Sequence, residues 1–320
     1  MTRPIANARN VAAPTRRRPG SWSPLRSALI VALLLTCVFS LPTLADAARS
    51  IVPPRNGPTG DPAPGQVGQI ALSGVQPGAC ISIAATDRRS DKTVFIDPGH
   101  GGLDPGVVGM IGGRQVLEKD VALAVGTRLA TLLSEGGYRV VMSRTKDSSV
   151  TNLGPNDTIT GALTASAEHR DLAMRAACAN AGASSVLVSI HFDAFDDPAV
   201  GGTETFYDAE RPFAAENKRL ATDLQSALVA GLGTRDRGIW TDDQLAAPTL
   251  TSSGSLYGHL IELGPAAAGW VDNPSQMPGA LVEPLFLTNV AEAGLASSSS
   301  GQQRIAAALK SGLERYLSGA

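Results

Sequence analysis

The chain has 320 residues, 43% hydrophobic and 18% charged, with a formal net charge of −2. This is globular composition, with apolar material for one catalytic-sized domain and appendages. A chain with no excess of positive charge is a poor candidate for electrostatic binding to nucleic acid.

The first 47 residues stand apart. Arg3, Arg9, Arg16, Arg17, Arg18 and Arg26 precede an uncharged apolar run from Ser27 to Leu41, and Ala45-Asp46-Ala47 follows. Basic region, short apolar region and small-x-small site, in that order, read as a secretory signal peptide cleaved after Ala47. The run of 15 residues falls short of the roughly 20 that span a bilayer as a helix, which favours cleavage over a retained anchor and leaves no stable membrane span. Cys37 lies within it without the small residue that a lipoprotein site wants before its cysteine. Removing six Arg and one Asp takes the net charge from −2 to about −7, and leaves Cys80 and Cys178. In an oxidising compartment two remaining thiols suggest one disulfide; two separate buried thiols are the alternative.

Residues 48–90 read as a Pro/Gly-rich linker and N-terminal extension, with Pro53, Pro54, Pro58, Pro62 and Pro64 in its first part and order beginning near Val67 to Ile83. A domain over 91–320 follows. The pattern predicts a strand at 93–97, a helix at 117–135 closed by Gly136-Gly137, and a strand at 138–143. Next come a helix at 169–181, strands at 185–190 and 202–207, a helix at 213–232, a strand at 280–283 and a helix at 303–317. Such alternation predicts a single α/β domain with a twisted, mostly parallel central sheet covered by helices on both faces. Two long polar stretches, 147–167 and 244–278, break the rhythm where they could border a cleft.

Asp97-Pro98-Gly99-His100-Gly101-Gly102 follows the first strand, so His100 stands on a Gly-rich turn at a strand's carboxyl end, where open α/β sheets place ligand-binding groups. Ser189-Ile190-His191-Phe192-Asp193 repeats the arrangement, in a chain with four histidines. Glu118 opens the helix after His100. Alone it is an acid favoured by the helix dipole; with two imidazoles it completes the ligand set of many catalytic zinc sites, which leave a fourth position for water.

These stretches resemble the zinc-dependent N-acetylmuramoyl-L-alanine amidases of the amidase-3 family. The similar segments are DPGHGGLDPGVVG (97–109), LEKD (117–120), RAACANAGASSVLVSIHFDA (175–194) and MPGALVEPLFLTN (277–289). The resemblance implies that His100, Glu118 and His191 bind Zn2+ and that Glu283 is the catalytic carboxylate. It also implies cleavage of the amide between the lactyl group of N-acetylmuramic acid and L-alanine of the stem peptide, outside the cell in periplasm or cell wall, with peptidoglycan or muropeptides as partner. Asp193 replaces the family's common Asn, and Pro284-Leu285 replaces a pair ending in Gly. Leu260-Ile261-Glu262-Leu263-Gly264 also resembles the catalytic strand, but Phe286, Asn289 and a C-terminal helix follow Glu283 at the family's spacing. His169, His259, Arg175 and Asn180 read as structural, and Trp240 and Trp270 as packing residues. Two rival readings share the pocket: a non-catalytic peptidoglycan-binding protein with this fold, and a zinc peptidase cutting within the stem peptide.

Overall fold

A computed structural model describes residues 66–87, 90–251 and 253–319. The leader read at 1–47 and the proline-rich first part of the linker lie outside them. Eight strands form one sheet: β1 (Val67–Gln69), β2 (Ala79–Ile83), β3 (Thr93–Pro98), β4 (Arg139–Arg144), β5 (Val186–Ile190), β6 (Thr203–Tyr207), β7 (Asp236–Thr241) and β8 (Gly279–Glu283). Their spatial order is β1-β2-β4-β3-β5-β8-β6-β7. β4, β3, β5 and β8 run parallel at the centre, β6 and β7 are parallel to each other, and the remaining pairings are antiparallel. The sheet is therefore mixed, with its parallel part at the middle. β1 and β2 lie upstream of residue 91 and still belong to it, because β2 pairs along β4 from Ala79↔Arg144 to Ile83↔Val140.

Strand alternation divides the core into two layers. Val94, Ile96, Val140, Met142, Val188, Ala280 and Val282 face one side and pack with apolar stripes from three helices. These are α1 (Glu118–Glu135), α3 (Ala214–Leu232) and α5 (Ser299–Ser318), with the short α4 (Val290–Ser297) beside α5. On α1 the stripe is Val121, Val125, Leu129 and Leu133, a four-residue repeat that puts all four on one face, all buried. Gly137, at φ 93°, turns the chain out of α1 toward β4.

Phe95, Val141, Leu187, Phe206 and Leu281 point the other way, toward α2 (Ala165–Ala181) and the segment around Leu263 and Met277. α2 begins four residues before the predicted start because Thr164 caps it, its side chain accepting from Ala167 N. The inner face of α2 carries Asp171 and Arg175 as well as alanines, so its helical period is masked in sequence by polar residues that serve the site.

Cys80 on β2 and Cys178 on α2 are joined by a disulfide, with Cα atoms 5.6 Å apart and a sequence separation of 98. It ties an outer strand to the helix covering the sheet. The double variant Cys80→Ala/Cys178→Ala is expected to lose about 2–5 kcal/mol of stability. The measurement is the urea midpoint; an unchanged midpoint would contradict the expectation.

Candidate metal centre

β3, β5 and β8 are parallel neighbours, so their carboxyl ends open at the same edge of the sheet. His100 lies two residues past β3, His191 one residue past β5, and Glu283 ends β8. Glu118 is the first residue of α1, whose N-terminus returns to that edge. Hydrogen bonding continues beyond the strands, with Asp193 N donating to Leu285 O at 3.0 Å and Leu287 N to Asp193 O at 2.8 Å.

Three ligand atoms converge. His100 Nε2 and His191 Nδ1 each lie 3.0 Å from Glu118 Oε1 and 3.1 Å from each other. A regular tetrahedral site with bonds of about 2.0 Å has edges of roughly 3.3 Å, so this near-equilateral triangle fits three corners of one. The donors, two imidazole nitrogens and a carboxylate oxygen, suit zinc.

Each ligand is aimed by its surroundings. Asp104 Oδ2 lies 2.7 Å from His100 Nδ1, which holds that nitrogen protonated and leaves the lone pair on Nε2. Glu118 Oε1 accepts from Phe192 N at 2.9 Å and Oε2 from Val107 N at 2.7 Å. Burial pushes the Glu118 carboxyl up, but the two imidazoles that face it outweigh burial and hold it well below the usual carboxylate range. His191 packs on Gly99, where a Cβ would sit 2.3 Å from the imidazole Cε1. A Cβ on Gly106 would sit 2.5 Å from Glu118 Oε2. Both positions therefore need the absence of a side chain.

Asp104→Asn replaces the carboxylate behind His100 with a weaker partner. Zinc affinity is expected to fall about 10- to 100-fold, measured by competition with a chromophoric chelator.

His100 itself sits at φ 61°, a left-handed conformation that a non-glycine residue rarely adopts. Two buried guanidinium groups hold it there. Arg144, at the end of β4, donates to Pro98 O at 2.9 Å and Gly99 O at 2.8 Å. Arg175, on α2, donates to Pro98 O at 3.0 Å and His100 O at 2.7 Å. Three successive carbonyls of the turn thus point at fixed cations.

Glu283 is buried, pairs in register with Glu204 of β6, and its Oε2 accepts no hydrogen bond. Burial pushes its carboxyl well up, and the charges of Asp193, Glu118 and Glu204 add to the rise. Burial and a hydrogen bond with Glu204 likewise raise Asp193 to about 8. A cation at the neighbouring triangle would relieve this crowding of acids.

His100 and His191 open onto a cavity whose walls include Leu163 from the first long polar stretch and Leu260 to Leu263 from the second. Glu262 lines it too, in a turn rather than a strand, with Oε1 3.8 Å from Arg175 Nε. Glu283 is not among the residues lining that cavity. His169 contacts Trp270 edge-on, ring centroids 3.9 Å apart. His259 stands with Asp208 and Asp242 in a second cluster.

Arg144, Asp104 and the sharing pair Asp193–Glu204 were not legible as site residues. Asp104 carried a faint signal, four residues from His100 within the same Gly-rich turn.

A mixed α/β sheet bearing a His-Glu-His triangle at its parallel strand ends defines an α/β fold with the donor set for a metal ion. The chain belongs to the amidase-3 family: the model of N-acetylmuramoyl-L-alanine amidase matches residues 94–315. It is 32% identical over 225 residues to the N-acetylmuramoyl-L-alanine amidase LytC of Bacillus subtilis, covering 70% of this chain and 35% of LytC. The match thus spans about a third of that relative. A germination-specific N-acetylmuramoyl-L-alanine amidase of the same organism is 31% identical, with 71% of this chain and 80% of that one covered. Among solved structures, the CwlD amidase of Clostridioides difficile, in complex with the GerS lipoprotein, is similar with a TM-score of 0.55 and 26% identity, covering 72% of this chain and 100% of CwlD. AmiC2 of Nostoc punctiforme gives 0.51 and 26%, with 72% and 98% covered.

Proposed function

We propose that this chain is a secreted zinc-dependent N-acetylmuramoyl-L-alanine amidase acting on peptidoglycan in periplasm or cell wall. The observation that carries the reading is the triangle of His100, Glu118 and His191, its carboxylate buried and its imidazoles facing the cavity, built on residues inside the family match. The basic and apolar leader and the Cys80–Cys178 disulfide support an oxidising, extracytoplasmic setting. Among the described residues no helix is long and apolar enough to cross a membrane.

His100, Glu118 and His191 would hold the zinc. When bound, it supplies Lewis acidity at the amide carbonyl and makes water a competent nucleophile near neutral pH. The protein's part is placement and proton transfer. Asp104, Arg144 and Arg175 keep His100 in one tautomer and one unusual backbone conformation. Glu283, on the strand beside His191, accepts a proton from the attacking water and returns it to the departing amine of L-alanine. Burial and the neighbouring acids raise its carboxyl above the usual range, which makes it a stronger proton acceptor than an ordinary carboxylate. The apolar wall of Leu163, Leu260, Leu263 and Leu281 limits water at the cavity.

The test is digestion of purified muramyl peptides by the protein with its leader removed, with and without a chelator, and identification of products by mass. Release of an intact stem peptide with a free L-alanine amine, abolished by the chelator and restored by zinc, is the expected result. Cleavage inside the stem would overturn the amidase reading in favour of a peptidase.

A further inference from the structure

We propose that Asp208, Asp242 and His259 form a second site for a divalent cation of the zinc class, separate from the His100 triangle, which fastens the wall of the substrate cavity. β6 and β7 are parallel neighbours and end with Tyr207↔Thr241 paired, so the residues that follow them, Asp208 and Asp242, emerge side by side. His259 reaches them from the second long polar stretch.

Asp208 is fully buried, and its two oxygens differ. Oδ1 accepts the N–H groups of Glu210 and Arg211, both at 2.8 Å, whereas Oδ2 accepts no hydrogen bond. That orphaned oxygen lies 3.0 Å from His259 Nδ1. Asp242, 1% exposed, spends Oδ2 on the N–H of Leu260 at 3.0 Å and points Oδ1 at the same Nδ1, 3.2 Å away. One ring nitrogen carries at most one proton, so it satisfies one of the two carboxylates and leaves the other bare in a buried place.

Charge leads to the same conclusion. Two buried carboxylates face one imidazole, which even when protonated compensates half of them. Arg211 adds positive charge nearby, but its guanidinium N–H groups go to the carbonyls of Gly264 and Ser275 and not to the bare oxygen. A divalent ion would balance the pair and satisfy Asp208 Oδ2 directly. The imidazole nitrogen in the donor set favours zinc-like ions over calcium or magnesium, which take oxygen ligands. Distances of 3.0 and 3.2 Å from Nδ1 to the two oxygens match the spacing in the His100 triangle. Glu210 Oε2, on an exposed side chain, lies 3.6 Å from His259 Nε2 on the far side of the ring.

The consequence for the enzyme lies in the next four residues. Leu260 to Leu263 follow His259 and line the substrate cavity, and Leu260 is already tied to Asp242 through its N–H. An ion held by β6, β7 and His259 pins this wall to the sheet.

The experiment counts metal. The protein is loaded with Zn2+, freed of loose ion by gel filtration, and analysed for zinc per chain. Two equivalents are expected for the wild type, one for His259→Ala, one for His100→Ala and none for the double variant. Asp208→Asn, close in shape to the native residue, is expected to lose the same equivalent as His259→Ala with an unchanged circular dichroism spectrum. In the His100→Ala protein, Zn2+ should raise Tm, and in the double variant it should not. One equivalent in the wild type that disappears in His100→Ala, or a count unaltered by His259→Ala and Asp208→Asn, would overturn the proposal. Failure of the first site instead would leave His100→Ala with the wild-type count, so the two readings fail separately.

Discussion

Glu283→Gln is expected to lower kcat about 10²- to 10⁴-fold while leaving zinc content and Tm unchanged. Glutamine keeps the shape of the side chain and removes the proton acceptor. A residue that merely packed the end of β8 would tolerate this change, since Oε2 makes no hydrogen bond to be lost. The pH profile gives a second readout. Burial and the neighbouring acids raise the Glu283 carboxyl, so as pH falls it is protonated earlier than an ordinary carboxyl and loses its power to accept a proton. The wild-type rate should therefore climb with rising pH along a limb that the Gln variant lacks. Glu262→Gln supplies the contrast. Glu262 borders the same cavity as His100 and His191, but it faces Asp97 and Arg175 of the buried charge network, Arg175 Nε lying 3.8 Å from its Oε1, and its replacement should leave most of the activity. Steady-state rates on one muramyl peptide decide between them. Loss of activity in Glu262→Gln with retention in Glu283→Gln would reverse the assignment.

Strand and helix positions were readable where one physical period dominated. α1 and α5 show clean apolar stripes, and β3 and β5 are buried on both faces, so each carries a short consecutive apolar run, Val94 to Ile96 and Val186 to Val188. β7, from Asp236 to Thr241, escaped because it is a half-exposed edge strand with charge at its start. β6 betrays in sequence neither its antiparallel pairing with β8 nor its contribution of Glu204 beside Glu283, because strand order is a property of the packed sheet. The His100, Glu118 and His191 positions were legible for the opposite reason: each lies at a boundary between elements, marked by glycines or by a helix start. Arg144 and Arg175 were hidden. A buried arginine looks in sequence like any solvated one, and only the fold brings the carbonyls of residues 98 to 100 to its donors.

Arg175→Met should destabilise the protein by about 3–5 kcal/mol, the cost of removing one partner from a buried charge network. Arg175 donates to Asp97 at 2.9 Å and to Asp171 at 2.8 Å, besides the two carbonyls of the His100 turn. Asp97 is fully buried, so the variant removes the guanidinium that pairs directly with its charge. Lysine should rescue poorly, because a single ammonium cannot span four acceptors held by a planar fork. Acid titration identifies the network specifically. Burial pushes Asp97 up, but Arg175, with Ser143, His191 and Ser189, holds it at about 2 against an ordinary value of 3.8. A depressed carboxyl contributes stability that is present above pH 4 and lost as pH falls toward about 2. Wild-type stability should decline through that window, and Arg175→Met, already lacking the partner, should decline less. Because Arg175 also holds His100 at φ 61°, the variant should bind zinc more weakly even at temperatures where it stays folded. Equal zinc affinity in folded Arg175→Met would mean that the turn keeps its shape without the guanidinium, and that Arg175 contributes to stability alone.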